Sequence, residues 1–206
     1  MRGRVWCRFG ACTASLDRCL RRTEATSLAE FAVSLPLLVV LVVGIFDFGG
    51  AFNLKQELNN AAREGARFGA SQPTNDLCPG TTGCTAPPSV DAIRVLVDSY
   101  LLAAVHNDCG LSSVSPPAGA NLTWVYTASP LSTGGCTGTL TLTIVRGYPN
   151  CVLAMATTPV VNIPCTQVTI SYPYVWHFNS VIQLLVPGST FALSNIPTTS
   201  TAANMD

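Results

Sequence analysis

Apolar residues crowd one stretch of this chain and set its organisation. From Phe31 to Phe46 there is no ionised residue. Continued to Phe52, the run is 22 residues long and carries one charge, Asp47. At ~1.5 Å per residue that is about 33 Å of helix, enough to cross a bilayer. Pro36 would end a soluble helix but is accommodated in lipid as a kink. The helical pattern then continues through residues 53–72, NLKQELNNAAREGARFGASQ. Small residues recur there every fourth position, in one row at Ala61, Gly65 and Gly69 and another at Ala62, Ala66 and Ala70. Each row forms a smooth strip on a helix and lets another backbone come close. Glu64 and Arg67 can pair across one turn. The pattern predicts a single helix from about Ser27 to Ala70, its first half in lipid and its second half under a domain.

Beyond residue 70 the periodicity changes. Residues 71–88 are turn formers and predict a loop. Ser89 offers an N-cap for a second helix, VDAIRVLVDSYLLAAV, with Ile93, Leu96, Val97, Tyr100, Leu101 and Ala104 on one face and an end near Asn107 to Gly110. Strands are predicted at Leu122–Thr127, Thr139–Arg146 and Gln167–Phe178, with weaker ones at Val152–Ala156 and Thr190–Leu193. The middle strand, TLTLTIVR, alternates as a half-buried antiparallel strand should. Two helices and a meandering sheet define an α+β fold, the second helix needing the sheet to cover its apolar face.

Charge adds an orientation. Residues 1–25 hold six arginines against Asp17 and Glu24, whereas from Asn53 onward five basic residues face seven acidic ones. An arginine-rich head before an apolar span predicts a cytosolic N-terminus and an extracytoplasmic body. A cleaved secretory signal would share the basic head and apolar core, with Gly49-Gly50-Ala51 as a small-residue cleavage site. The long polar head, Glu30 at the start of the core and the uninterrupted helical pattern argue against it. No long basic stretch follows residue 22, so nucleic-acid binding is not expected.

Nine cysteines divide into Cys7, Cys12 and Cys19 before the span and six after it. An even number outside the cytosol predicts disulfides among Cys78, Cys84, Cys109, Cys136, Cys151 and Cys165. Fifteen pairings are open in principle; proximity along the chain would join Cys78 to Cys84, Cys109 to Cys136 and Cys151 to Cys165. Cys-x-x-Cys pairs are missing and only His106 and His177 could assist, so neither a metal nor another cofactor is expected. His106-Asn107-Asp108-Cys109 places a base, an acid and a thiol in sequence, but at a helix end where capping explains the Asn and Asp. His177 follows Tyr172, Tyr174 and Trp176 and suits a surface or interface position. No enzymatic activity is expected.

Several short motifs make the span specific: Glu30-Phe31-Ala32, the early Pro36, Asp47-Phe48-Gly49, and Ala61 to Arg67 (AAREGAR). Residues 25–70 resemble the N-terminal signature of TadE/TadG-like proteins, minor pseudopilins of the Flp (tight adherence) pilus. A weaker similarity lies in VTISYPYVWHF and the tail TSTAANMD. The resemblance implies a pilin-like fold, in which a long helix half exposed to lipid packs on a small antiparallel sheet. It implies cutting by a prepilin peptidase between Ala25 and Thr26; the family's usual glycine ahead of the cut is Ala25 here. Glu30 would then be fifth in the mature chain, where an ammonium at Thr26 of the same or a neighbouring chain can neutralise it.

The implied organisation is a cytosolic basic leader (1–25), a transmembrane helix (26–52), its continuation (53–72) and an extracytoplasmic α+β domain (73–206). The implied partners are membrane lipid, other pilin and pseudopilin subunits and the prepilin peptidase. The implied location is the bacterial inner membrane, single-pass, with the pilus or cell surface beyond it. The competing reading is a membrane-tethered binding module, an adhesin or envelope sensor, which would keep residues 1–25.

Overall fold

One helix, α1 (Thr23–Ala70), carries both halves of the molecule, running 48 residues with Pro36 inside it. The computed structural model describes residues 23–78, 82–129, 136–147, 151–155, 161–179, 183, 188 and 194–204. The basic head, including Cys7, Cys12 and Cys19, and the strand expected at Thr190–Leu193 lie outside the described residues.

The C-terminal end of α1 is closed from a distance. Arg146 is fully buried. Its Nη2 donates to the Gly69 and Gln72 carbonyls, at 2.9 Å each. Its Nη1 donates to the Pro73 carbonyl at 3.3 Å and to Ser89 Oγ at 2.6 Å. A guanidinium at this end satisfies carbonyls that a helix leaves orphaned and complements the negative pole of its dipole.

The second helix, α2 (Pro88–Ala104), starts one residue before the expected cap. Ser89 is not the N-cap: Pro87 holds that position without a side-chain cap bond, and Pro88 opens the helix. Proline suits the first helical position because its missing N–H would be an orphan there anyway. Asp76 takes over the capping, accepting from the Ser89 N–H at 3.0 Å and from Ser89 Oγ at 2.8 Å. At the other end α2 stops at Ala104, short of Asn107, because His106 turns into the left-handed region at φ 66°. Asp108 then caps the short 3₁₀ turn Leu111–Ser113, accepting from the Gly110 and Ser112 N–H groups at 3.1 Å each.

Among the described residues seven strands form the sheet: β1 (Thr82–Thr85), β2 (Ala118–Ala120), β3 (Thr123–Ala128), β4 (Leu140–Arg146), β5 (Val152–Met155), β6 (Val161–Tyr174) and β7 (Ser194–Ala203). They are ordered β1-β2-β3-β4-β6-β5, with β7 also pairing β6, and every pairing is antiparallel. The predicted alternation of β4 holds, with Leu140, Leu142, Ile144 and Arg146 buried. Trp124 and Tyr126 of β3 and Val168 and Ile170 of β6 extend that buried face.

Three expectations need correcting. The supposed loop 71–88 contains β1, which pairs β2. The expected strand Gln167–Phe178 is displaced toward the N-terminus: β6 begins at Val161, where Pro164 sits opposite Val152 of β5, and ends at Tyr174. Its predicted last residues leave the sheet because Asp47 of α1 captures the Phe178 N–H. The ten-residue β7, which pairs with β6 from Ser194 to Ala203, is too polar to signal itself by hydrophobicity.

The core lies between sheet and helices. Leu58, Ala61, Ala62 and Ala66 of α1 meet Val90, Ile93, Val97 and Leu101 of α2 over the inner face of the sheet. Three disulfides tie the periphery: Cys78–Cys84, Cys109–Cys136 and Cys151–Cys165, with Cα separations of 6.4, 5.1 and 5.0 Å.

Candidate functional site

The two halves of α1 meet different surroundings, and the functional candidates divide between them. In the packed half, the small residues are filled from within the chain. A Cβ added at Gly65 would lie 2.9 Å from Val97 Cγ2, and one at Gly69 would lie 2.6 Å from Thr166 Cγ2 and 2.7 Å from Ile93 Cδ1. Ala61, Ala62 and Ala66 are buried in the same core. The Gly65–Gly69 strip therefore faces α2 and β6 of its own domain, and the Ala62–Ala66–Ala70 strip is buried within that domain too.

The other half is bare. Thr26 and Glu30 are exposed, and so are Leu28, Phe31, Val33, Leu37, Leu41 and Ile45. The bond between Ala25 and Thr26 falls in the first turn of α1, which starts at Thr23. This helix is long and apolar enough to cross a membrane, and its most apolar window is wholly unburied by the rest of the chain. Leaving such a surface in water forfeits the burial that stabilises folded chains, at about 25 cal/mol per Å². An apolar solvent or a protein partner belongs around it.

Asp47 marks the border. It is 5 % exposed although its helix neighbours Phe46 and Phe48 are bare. Its Oδ2 accepts the Phe178 N–H at 2.8 Å, and its Oδ1 accepts the Tyr174 hydroxyl at 3.0 Å. His177 Nδ1 stands 3.3 Å from the same Oδ1 while the ring stays in the open. Gly50 leaves room for this contact: a Cβ there would lie 3.0 Å from the Tyr174 hydroxyl. Trp176 stands edge-on to Tyr174 and to Phe48, with ring centroids 5.0 and 5.3 Å apart.

Sequence reasoning noted Asp47 as the one charge in the apolar run and set His177 at an interface, without joining them. The available signal was a lone acid at the end of an apolar span and a Tyr-Pro-Tyr-Val-Trp-His cluster elsewhere that could satisfy it. The His106–Cys109 group is dispersed instead. Cys109 is bonded to Cys136, and Asn107 Oδ1 accepts the Cys109 N–H at 2.8 Å.

Fold and site together define a helix-anchored α+β protein, in which one helix supplies both the domain's core and a bare apolar stem. Residues 25–67 match the family model described as TadE-like protein. The match runs from Ala25 to Arg67, over the bare half and most of the packed half of α1, so the resemblance to TadE/TadG-like proteins holds across that segment. Nothing among curated proteins or solved structures matches the chain.

Proposed function

We propose that the protein is a minor pseudopilin, a structural component of the Flp-type (Tad) pilus or of its assembly machinery. The observation that carries this reading is the coincidence of two independent features. The TadE-like segment includes the half of α1 that the fold leaves bare, and that half is a surface able to join both lipid and neighbouring helices. In this reading the chain is first held in the inner membrane as a single-pass prepilin. The arginine-rich head stays in the cytosol, and the disulfide-bonded domain lies in an oxidising compartment outside. A prepilin peptidase cuts after Ala25, and the new ammonium at Thr26 neutralises Glu30 so that the stem can move from lipid into a fibre. The role is structural, not enzymatic.

Intact mass of the membrane-extracted protein tests the first step: the mature chain should begin at Thr26, and Ala25→Leu should block the cut by crowding the small site. Co-purification with sheared pilus or assembly components tests the second. Glu30→Gln should remain in the membrane but fail to assemble, because the charge pairing that sets axial register is lost. A chain that still begins at Met1 and assembles with nothing would be a tethered binding module instead.

A further inference from the structure

We propose that residues 174–179, with Phe48 and Phe52 of α1, form an aromatic rim that lies in the headgroup layer of a phospholipid bilayer and fixes the depth and tilt of the outer domain. The inference rests on the reading that α1 crosses a membrane, and it assigns that membrane a second contact, made by the domain itself.

Three observations converge. The first is level. A hydrocarbon core of ~30 Å takes about 20 helical residues. If the core is entered at Thr26, its outer edge falls beside Phe46; if it is entered at Glu30, the edge falls beside Gly50. Asp47, Phe48 and the rings around them occupy that level in either case. Immediately above, the helix turns polar at Asn53 and continues as NLKQELNN.

The second is chemistry. Phe48 and Phe52 are 67 % and 66 % exposed, one turn apart, and Val175 is 47 % exposed beside them. Trp176 packs on Phe48 and donates its indole N–H to Ser194 Oγ at 2.6 Å. Amphipathic rings between an apolar span and a polar one are the composition of an interfacial belt. Lys55 stands at the edge of a shallow depression, about 360 Å³, floored by Phe48, Phe52 and Trp176. From there its stem can run along apolar surface while the ammonium reaches a lipid phosphate.

The third is reach. The domain descends past the border instead of standing above it: Phe178 Cε2 would lie 3.8 Å from a Cβ at Gly44, almost one turn below Asp47. Phe178 closes the end of an apolar groove with Leu37, Leu41, Gly44 and Ile45, all on the bare half. Asp47 makes this possible, because it accepts the Phe178 N–H and the Tyr174 hydroxyl. The segment is thereby pinned to the helix, with Tyr174, Trp176 and Phe178 half-buried against it and Phe48, Phe52 and Val175 exposed around them. The occupant that fits a surface continuous with a membrane-crossing stem, apolar below and polar above with Lys55 at its edge, is a glycerophospholipid leaflet.

The test uses the full chain reconstituted into vesicles of phosphatidylcholine and phosphatidylglycerol, some brominated near the top of the acyl chains. Flotation with the vesicles is measured first. Tryptophan emission is then compared between wild type and W176F, so that the difference isolates Trp176 from Trp6 and from the fully buried Trp124. The proposal expects that difference signal to be lost in brominated vesicles and to be shielded there from aqueous acrylamide. Phe178→Asn should shift Trp176 toward acrylamide without releasing the protein from the vesicles. A protein that floats while its Trp176 emission survives bromine, or is quenched by acrylamide as strongly as in detergent, would overturn the rim and leave the anchor standing. Protection from both quenchers together with a cross-linkable second copy would overturn it in favour of a protein contact. Failure to float would overturn the anchor reading itself.

Discussion

The two halves of α1 differ in composition and answer to different solvents. Between Thr26 and Phe46 most of the large side chains are exposed, and among the described residues only the Phe178 ring of the domain comes near them. Between Leu58 and Ala70 small residues replace them, and the domain closes onto the backbone. Side-chain size and polarity together separate the roles. A stem that must remain soluble in lipid keeps its bulk on the outside, whereas one that must be embraced by its own sheet gives up its bulk. Asp47 divides the two regimes, and among the described residues only Phe178 of the domain reaches below that carboxylate, to the level of Gly44.

The largest expected effect comes from unlocking the upper end. Arg146→Met keeps much of the length and apolar bulk but leaves the Gly69, Gln72 and Pro73 carbonyls without their donor. The outer domain should lose about 3–5 kcal/mol, read as a lower urea midpoint of the detergent-extracted protein. Membrane extraction should not change, since the bare half is untouched. Loss of membrane association in this variant would break the division between the halves.

A matched pair of glycine substitutions sharpens it. Gly69→Ala drives a methyl group into Thr166 and Ile93 and should cost the domain about 1–3 kcal/mol. Gly49→Ala meets nothing within 4 Å, so the higher helix propensity of alanine should leave stability unchanged or raise it by up to ~1 kcal/mol. The same chemical change would thus act in opposite directions twenty residues apart on one helix. Equal effects at both sites would show that the packed half is not held as the structure has it.

The cross-links, too, should act only on the domain. The sequence separations of the three bridges are 27, 14 and 6 residues. Removing them as Cys→Ser pairs should cost about 3.5, 3 and 2 kcal/mol in that order, by loss of loop constraint in the unfolded chain. Urea midpoints of the three double variants check the ranking. Free-thiol counting on the untreated protein should find none of the six reactive.

Much of this contrast was legible in the sequence, and the illegible part has physical causes. The apolar run, the rows of small residues, the alternation of β4 and the apolar face of α2 are periodic signals, and each appears where its period placed it. Pairing cysteines by proximity worked because each bridge closes a short excursion between neighbouring elements. The polar β7 was legible only through the weak likeness of the tail TSTAANMD to the family's closing strands, because the pairing with β6 that places it is not written in its hydrophobicity. Nor was the cap at Ser89, where the decisive acceptor, Asp76, lies thirteen residues upstream. The link between Asp47 and residues 174–178 was hidden for the same reason. It joins positions more than 125 apart, and no local pattern reports a contact of that kind.

The smallest expected effect lies where α2 runs into the loop that follows it, and it tests whether the domain titrates independently of its stem. Asp98 of α2 faces Asp108 in the loop that follows, and its Oδ1 is buried without a hydrogen-bond partner. Burial, a hydrogen bond shared with Asp108 and the Asp108 charge raise the Asp98 carboxyl to about 6. Burial pushes Asp108 upward too, but hydrogen bonds from Ser112 and Gly110 outweigh it and hold that group below the ordinary range. A carboxyl raised by folding contributes stability that is complete below its unfolded value, near 4, and is lost as pH rises through about 6. Asp108 contributes in the opposite sense, losing its share only as pH falls below about 4. Between pH 5 and 8 Asp108 stays ionised, and the Asp98 contribution to stability should fall by about 1 kcal/mol, a figure reduced for the partial exposure of the pair. Asp98→Asn removes the titration and can donate its amide N–H to Asp108. The variant should be flat across that window and more stable than wild type at pH 8 by a similar amount. Urea midpoints of the disulfide-intact protein at closely spaced pH values would show this, with flotation on vesicles unchanged throughout. An unaltered slope in the Asn variant would move the titration elsewhere, and a parallel change in flotation would mean that this pair is coupled to the stem.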